Sequence, residues 1–292
     1  MADRYTYLPL TGLFIVLAWG IGDLSQGLRY RKAVLAVLAA GVVAASAAVT
    51  WRQVGYWRDN LTLYRHTLEV TDGNYLILNN YGIALAQEGR LDEAIRQYQE
   101  ALQVWPRAAT AHVNLGVAFA QQGGFAEAIL HYRSALEIVP DYALALENMG
   151  KALAALGRDD EAAASYEQTI RIDPSRSGAH LNLAILLVKR GRADEGWRHY
   201  LTALRLEPYS AKLPINMGVA LAQRGMPEEA ADCFRQALRV DPDSIEAHFN
   251  LGVLLARQSR VEEAARHFSE VLRRKPDAEG ARRWLEVLQR QR

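Results

Sequence analysis

The sequence predicts an all-α fold, in which a two-helix transmembrane hairpin precedes a solenoid of repeated helix pairs. Two observations support this prediction. Charge is scarce at the start, because the first fifty residues contain only six Asp, Glu, Lys or Arg side chains. Beyond them, proline, asparagine, glutamate and aromatic residues recur every 34 residues. The chain of 292 residues is therefore a composite of two kinds of segment.

The overall composition excludes several classes of function. The formal net charge is +1, so no strongly basic region is present to neutralise nucleic-acid phosphates. The one cysteine, Cys233, excludes an internal disulfide framework and a cysteine-based zinc cluster. Nucleic-acid binding is therefore not expected.

The hairpin is predicted from two uncharged runs in a membrane segment that covers residues 1–56. The first run, 5–22, has 18 residues, about the minimum length of a membrane span. The second run, 33–51, has 19 residues, of which eight are alanine. Tyr and Trp flank both runs, as expected at a membrane interface. The alternative is a buried helical hairpin in a soluble protein.

The charges between the two runs predict an orientation. Arg29, Arg31 and Lys32 lie in the predicted loop, and basic loops tend to be cytoplasmic. A multi-pass membrane protein with both ends on the extracytoplasmic side, periplasmic or lumenal, is therefore expected. The first run has neither a short basic leader nor a small-residue cleavage site, so we expect it to be retained.

Six repeats of 34 residues fill 75–278. The same residue types recur at fixed steps within them. The proline series is Pro106, Pro140, Pro174, Pro208, Pro242 and Pro276, and the aromatic series is Tyr98, Tyr132, Tyr166, Tyr200, Phe234 and Phe268. Glycine recurs in the same way, with the one exception of Ala184, and alanine with the one exception of Gly196.

Each repeat has the pattern of two antiparallel amphipathic helices. Apolar residues recur at helical spacing on one face of each half, as Leu115 and Phe119 do in the second repeat. Glycines such as Gly157 lie between the two halves, where a left-handed helix cap is expected. Acidic residues follow at once and complement the start of the second helix. The repeating proline then ends that helix.

This pattern resembles the tetratricopeptide repeat (TPR), a 34-residue helix-turn-helix unit whose copies stack into a right-handed superhelix. The resemblance covers residues 75–278. Residues 57–74 resemble the second helix of an incomplete preceding repeat, and 279–292 are expected to form a capping helix. The resemblance also implies that one face of the first helices lines a concave groove.

The sixth position of every repeat is asparagine, a poor helix former. This position lies opposite the packed aromatic positions, on the face that is concave in TPR proteins. An asparagine amide both donates and accepts hydrogen bonds, so a row of them suits a peptide backbone. The row resembles the asparagine ladder of protein O-GlcNAc transferases. The candidate peptide-binding residues are Asn80, Asn114, Asn148, Asn182, Asn216 and Asn250. Apolar residues surround them and are expected to line the groove: Val113, Leu181, Ile185, Ile215, Val219, Phe249 and Val253. The alternative is that these amides bond a neighbouring repeat.

No catalytic, metal or cofactor site is predicted. His112, His180 and His248 are 68 residues apart, as are His131, His199 and His267. Positions two repeats apart lie about 20 Å apart in a solenoid, too far for a shared metal. The spacing instead indicates that a two-repeat unit was duplicated. Cys233 is interpreted as packing in a second helix. The glutamate series is interpreted as structural, at the helix starts, and consists of Glu93, Glu127, Glu161, Glu195, Glu229 and Glu263.

The first residues give a second resemblance. Asp3-Arg4-Tyr5 with the following uncharged run, and Tyr56-Trp57-Arg58-Asp59 before the repeats, resemble membrane-embedded O-mannosyltransferases that carry carboxy-terminal TPRs. Most of that family's transmembrane core, including the acidic residue of its first extracytoplasmic loop, is absent from this sequence.

The sequence therefore predicts a membrane-anchored TPR scaffold, not itself an enzyme, that binds polypeptide or protein partners in its concave groove. The membrane bilayer is the second expected partner. The alternative is the carboxy-terminal part of a protein O-glycosyltransferase whose repeats recruit acceptor proteins.

Overall fold

A computed structural model describes residues 30–290, and all of the regular structure in this range is helical. The predicted span at 5–22 lies outside the described residues. The chain divides into two compact units, of which the first ends at Asp72 and the second begins at Gly73.

The first unit contains two described helices, Arg31–Tyr56 and Asn60–Val70. Across the described residues, none of the helices combines the length and the apolar character that crossing a membrane requires. The predicted hairpin is therefore not supported, although 33–51 is helical. Alanine accounts for eight residues of this run, and its methyl group buries little apolar surface.

The shorter helix of the first unit begins with a side-chain cap. The carboxylate of Asp59 accepts a hydrogen bond of 2.7 Å from the backbone N–H of Thr62. None of the residues of this helix is buried. Its assignment as part of an incomplete repeat stays a prediction.

The second unit consists of six helix pairs and a final helix. In each pair, a first helix of 12 or 13 residues is followed by a second helix of 14 residues. The pairs are Tyr75–Gln87 with Leu91–Val104, Ala109–Gln121 with Phe125–Ile138, Ala143–Ala155 with Asp159–Ile172, Ser177–Lys189 with Ala193–Leu206, Lys212–Gln223 with Pro227–Val240, and Ile245–Arg257 with Val261–Arg274. The final helix is Glu279–Arg290.

The turns within the pairs have the left-handed backbone that the glycines predict. Five of these glycines have φ between 73° and 84°, and in the sixth pair Ser259 takes the same place with φ 60°. Glycine tolerates this conformation because it has no Cβ. The repeat thus reverses direction in three residues, and the two helices pack antiparallel.

The aromatic ring of each second helix fills the space left by a glycine of the first helix. Tyr166 is 2% exposed, and a Cβ added to Gly150 would lie 2.6 Å from its ring. The same contact recurs in four further pairs. The small and aromatic positions of the repeat are therefore one packing unit.

The fourth pair exchanges these small residues. Ala184 stands where the other first helices have glycine, and Gly196 stands where the other second helices have alanine. A Cβ on Gly196 would lie 2.9 Å from the backbone oxygen of Ala184. The exchange keeps one methyl group between the helices and moves it to the opposite side.

Successive pairs stack through two sets of contacts. Each second helix contacts the next first helix, and neighbouring first helices also contact one another. At the end, Trp284 of the final helix stacks on Phe268, with ring centroids 5.8 Å apart. This is an all-helical TPR-like solenoid in which the first helices form a continuous layer.

Candidate functional site

The predicted asparagines occupy the same position on the six first helices. Because neighbouring first helices are in contact, the six side chains form a row across the layer. Asn80 is exposed and the other five are half-buried. We call this row, together with the residue three positions after each asparagine, the asparagine surface.

One member of the row is used within the protein. The side-chain amide of Asn114 donates a hydrogen bond of 2.9 Å to the side-chain oxygen of Asn79 in the preceding repeat. Asn79 is 8% exposed, so this contact satisfies a buried polar group. The alternative interpretation of the row, a bond between repeats, thus describes Asn114.

Four other members keep their hydrogen-bonding groups available. Within residues 30–290, no side-chain hydrogen bond is made by Asn148, Asn182, Asn216 or Asn250. Each amide has a donor and an acceptor that a polypeptide backbone matches. The arrangement can therefore bind main chain across four successive repeats.

The apolar lining differs in part from the prediction. Val113, Leu181 and Ile215 are buried between helices, and no partner can contact them. These residues precede the asparagine and face the protein interior, which the repeat pattern alone did not show.

The accessible apolar residues lie three positions after the asparagine. Five repeats have a half-buried β-branched residue there. They are Ile83, Val117, Ile185, Val219 and Val253. A cavity of about 240 Å³ adjoins Ile83, Asn114 and Val117. Three of the four accessible asparagines, Asn182, Asn216 and Asn250, are thus followed one helical turn later by an apolar contact.

The third repeat interrupts this surface with an ionic cluster. Lys151 takes the place of the β-branched residue, and its Nζ lies 2.7 Å from Oε1 of Glu147. The other carboxylate oxygen of Glu147 lies 3.1 Å from the Arg176 guanidinium. The Glu147 side chain is 10% exposed and that of Lys151 is 49% exposed. The buried carboxylate is therefore compensated by two cations.

The histidines form three pairs that the repeat pattern did not predict. In the fourth repeat, Nδ1 of His180 lies 3.0 Å from Nδ1 of His199, and Nε2 of His180 lies 3.2 Å from the Pro174 carbonyl. A carbonyl can only accept, so Nε2 of His180 carries a proton. Its Nδ1 then accepts from the Nδ1–H of His199.

The second and sixth repeats contain the same arrangement. His112 and His131 are 3.3 Å apart, and His248 and His267 are 2.8 Å apart, between Nδ1 atoms. Burial, followed by the neighbouring histidine, lowers the pKa of His131, His199 and His267. The available signal was the 19-residue spacing within one repeat, rather than the 68-residue spacing between repeats.

The glutamate series and Cys233 have structural roles. Four of the predicted glutamates pair with an arginine three residues earlier, as Glu161 does with Arg158 through two bonds of 2.7 Å. Burial raises the pKa of Cys233 to about 11, so its thiol is protonated and packs in the core. Among the described residues, no group of three or more His, Cys, Asp or Glu is placed to hold a metal ion.

A family match covers the second unit. Residues 74–286 match the family described as the cilia and flagella-associated protein 70 C-terminal domain. This match includes all six helix pairs and most of the final helix.

Several relatives are protein O-mannosyl-transferases. The chain is 30% identical over 112 residues to Tmtc2 of Drosophila melanogaster, which covers 38% of this chain and 12% of the relative. It is 33% identical over 98 residues to TMTC4 of Homo sapiens, covering 34% and 13%. The matched part of this chain thus spans about an eighth of the length of these relatives.

Solved structures share the fold. A tetratricopeptide repeat protein from Parabacteroides merdae has a TM-score of 0.64 at 19% identity, covering 84% of this chain and 96% of that chain. The APC/C hetero-tetramer Cut9–Hcn1 has a TM-score of 0.64 at 18% identity, covering 79% and 46%. At these identities the similarity shows the fold alone.

Proposed function

The chain belongs to the TPR family of the cilia and flagella-associated protein 70 C-terminal domain, and we propose that its repeats are a scaffold that binds extended polypeptide. The binding site is the asparagine surface. The observation that carries this proposal is the row of half-buried amides at Asn148, Asn182, Asn216 and Asn250, which have no hydrogen-bond partner within residues 30–290.

The helical energetics support a role in binding. Asparagine is less favourable than alanine inside a helix by about 0.5 kcal/mol. Bonds to neighbouring residues offset this cost at Asn114, but they do not do so at the four later positions. The backbone of a bound polypeptide satisfies both the donor and the acceptor of each amide. Four such contacts hold a chain whatever its side chains are.

The test is selection of phage-displayed random 12-residue peptides on the full chain. The wild type is expected to enrich binding peptides. The variant with Asn148→Ala, Asn182→Ala and Asn216→Ala is expected to lose their binding while circular dichroism stays unchanged. The matched control changes three exposed polar residues of second helices, Gln99, Gln103 and Gln168, to alanine and should bind normally. Unchanged binding by the folded asparagine variant would exclude this site.

A second candidate function follows from the O-mannosyl-transferase relatives. In this proposal the chain is the carboxy-terminal part of a protein glycosyltransferase, and its repeats recruit the acceptor protein rather than transfer sugar. An open reading frame that continues upstream of Met1 with further hydrophobic segments would support it. An in-frame stop codon directly upstream of Met1 would contradict it.

Membrane anchoring is proposed on the uncharged run 5–22. Carbonate extraction should leave the wild type in the membrane pellet and release an Ile15→Arg variant, which places a charge inside the run. An extracytoplasmic position of the repeats is proposed separately, from the basic residues Arg29, Arg31 and Lys32 that precede the run 33–51. A phosphatase reporter fused after Arg292 should be active if the repeats are exported. An inactive phosphatase beside a fluorescent cytoplasmic reporter would contradict that position.

A further inference from the structure

The charged residue in the asparagine surface is Lys151. Its position, three residues after the asparagine, is a valine or isoleucine in the other five repeats. A lysine in a row of β-branched residues needs a reason, because its ammonium group loses water wherever a partner covers it. The residues around Lys151 indicate what this reason is.

Glu147 holds the Lys151 ammonium in place. Lys151 Nζ lies 2.7 Å from Glu147 Oε1, and the two residues are one turn apart on the same helix. Gly178 of the next repeat leaves space for this carboxylate, because a Cβ there would lie 2.8 Å from Glu147 Oε1. The missing side chain of Gly178 thus leaves room for the ion pair between Glu147 and Lys151.

Arg176 makes Lys151 available to a partner. It lies 3.1 Å from the second oxygen of Glu147, so that carboxylate stays paired with a cation when the lysine turns away. Lys151 has the more exposed side chain of the pair, and its long stem has several rotatable bonds. Recruiting its ammonium therefore does not leave a buried charge unpaired.

We infer that the asparagine surface selects extended polypeptides in which one acidic side chain, flanked by apolar residues, is bound by Lys151. This inference rests on the proposed function, because it assigns the chemistry of the chain that the same surface binds. The amides of Asn148 and Asn182 hold the backbone on either side. The apolar flanking residues of the polypeptide lie against Val117 and Ile185 of the neighbouring repeats.

The same phage-displayed 12-residue library tests the inference with the full chain. Peptides selected by the wild type should be enriched in Asp or Glu between apolar residues. Changing that acid to its amide in one synthetic peptide should weaken binding about tenfold, as for loss of a charge-assisted hydrogen bond. Lys151→Ile, which restores the pattern of the other repeats, should abolish the enrichment and the effect of the amide. If the isoleucine variant misfolds, Lys151→Gln replaces it, because glutamine keeps a polar side chain without the charge. This variant should also abolish both the enrichment and the effect of the amide.

Lys275→Ile is the matched control, since it removes an exposed lysine at the end of a second helix and should retain the enrichment. If the peptides selected by the wild-type protein are not enriched in Asp or Glu, this inference is overturned and the proposed function stands. Enrichment that persists in Lys151→Ile would overturn it as well. A wild type that selects no peptides would overturn both proposals.

Discussion

Asn114 donates its side-chain amide to Asn79 across a repeat boundary, at 2.9 Å, and Asn79 is 8% exposed. The same residue type at the same repeat position therefore has two roles. Asn114 stabilises the stack, whereas the later asparagines have no bond of this kind within the described residues. This difference predicts opposite effects of one substitution on stability.

Asn114→Ala is expected to lower the free energy of unfolding by about 1–2 kcal/mol, because it leaves the buried amide of Asn79 without a partner. Asn182→Ala is expected to raise it by about 0.5 kcal/mol, because alanine is the better helix former. Urea denaturation followed by circular dichroism measures both.

The control for this pair is the double variant Asn79→Ala with Asn114→Ala. It removes both partners of the bond, so it should be more stable than Asn114→Ala alone. Equal losses in the Asn114 and Asn182 variants would show that the bond between repeats does not stabilise the protein.

The histidine pairs predict a dependence of stability on pH. Burial lowers the folded-state pKa of His131, His199 and His267 below the unfolded value near 6.5. The unfolded chain therefore binds more protons in this range, so the free energy of unfolding falls as the pH is lowered from about 7 to 5. Urea midpoints at pH 7.5 and pH 5 should show the loss.

Replacing one pair by the residues of an odd repeat isolates its effect. The third repeat has Leu146 and Ser165 at these positions, so the matched variant is His180→Leu with His199→Ser. Its urea midpoint should change less between pH 7.5 and pH 5 than that of the wild type. An unchanged pH profile would mean that other groups cause the acid sensitivity.

The repeat period was sufficient to predict the helix pairs, because glycine, proline and aromatic residues each have a local physical role. The accessible part of the asparagine surface was less predictable. Val113 and Ile185 have similar side chains, yet the first is 1% exposed and the second is half-buried. Val113 precedes its asparagine and Ile185 lies three positions after one, so the two face different sides of the first helix, and the pattern of apolar residues does not say which side is covered. The histidine pairs were missed for a different reason, because the spacing compared was the one between repeats, whereas each pair joins the two helices of one repeat.

The exchange of Ala184 and Gly196 predicts a rescue. Gly196→Ala should destabilise the protein by about 1–3 kcal/mol, because the new Cβ would approach the Ala184 carbonyl at 2.9 Å. Adding Ala184→Gly keeps this carbonyl but removes the other methyl group between the helices, so the pair can shift toward the arrangement of the other repeats and should recover part of the loss. A double-mutant cycle of thermal unfolding measures the coupling. Additive losses would indicate that the two positions do not share one space.

Ser259 predicts a stabilising substitution. It has φ 60° at the turn of the sixth pair, where the other five turns have glycine. A residue with a Cβ is strained in this left-handed conformation by about 1–2 kcal/mol, and glycine is not. Glycine also loses more backbone entropy on folding, which offsets part of this gain. Ser259→Gly is therefore expected to raise the free energy of unfolding by about 0.5–1 kcal/mol. The reverse change, Gly225→Ser in the fifth pair, is the matched control and should lower it by a similar amount. Urea unfolding of both variants measures the two effects, and a Ser259→Gly protein no more stable than the wild type would show that the serine is not strained there.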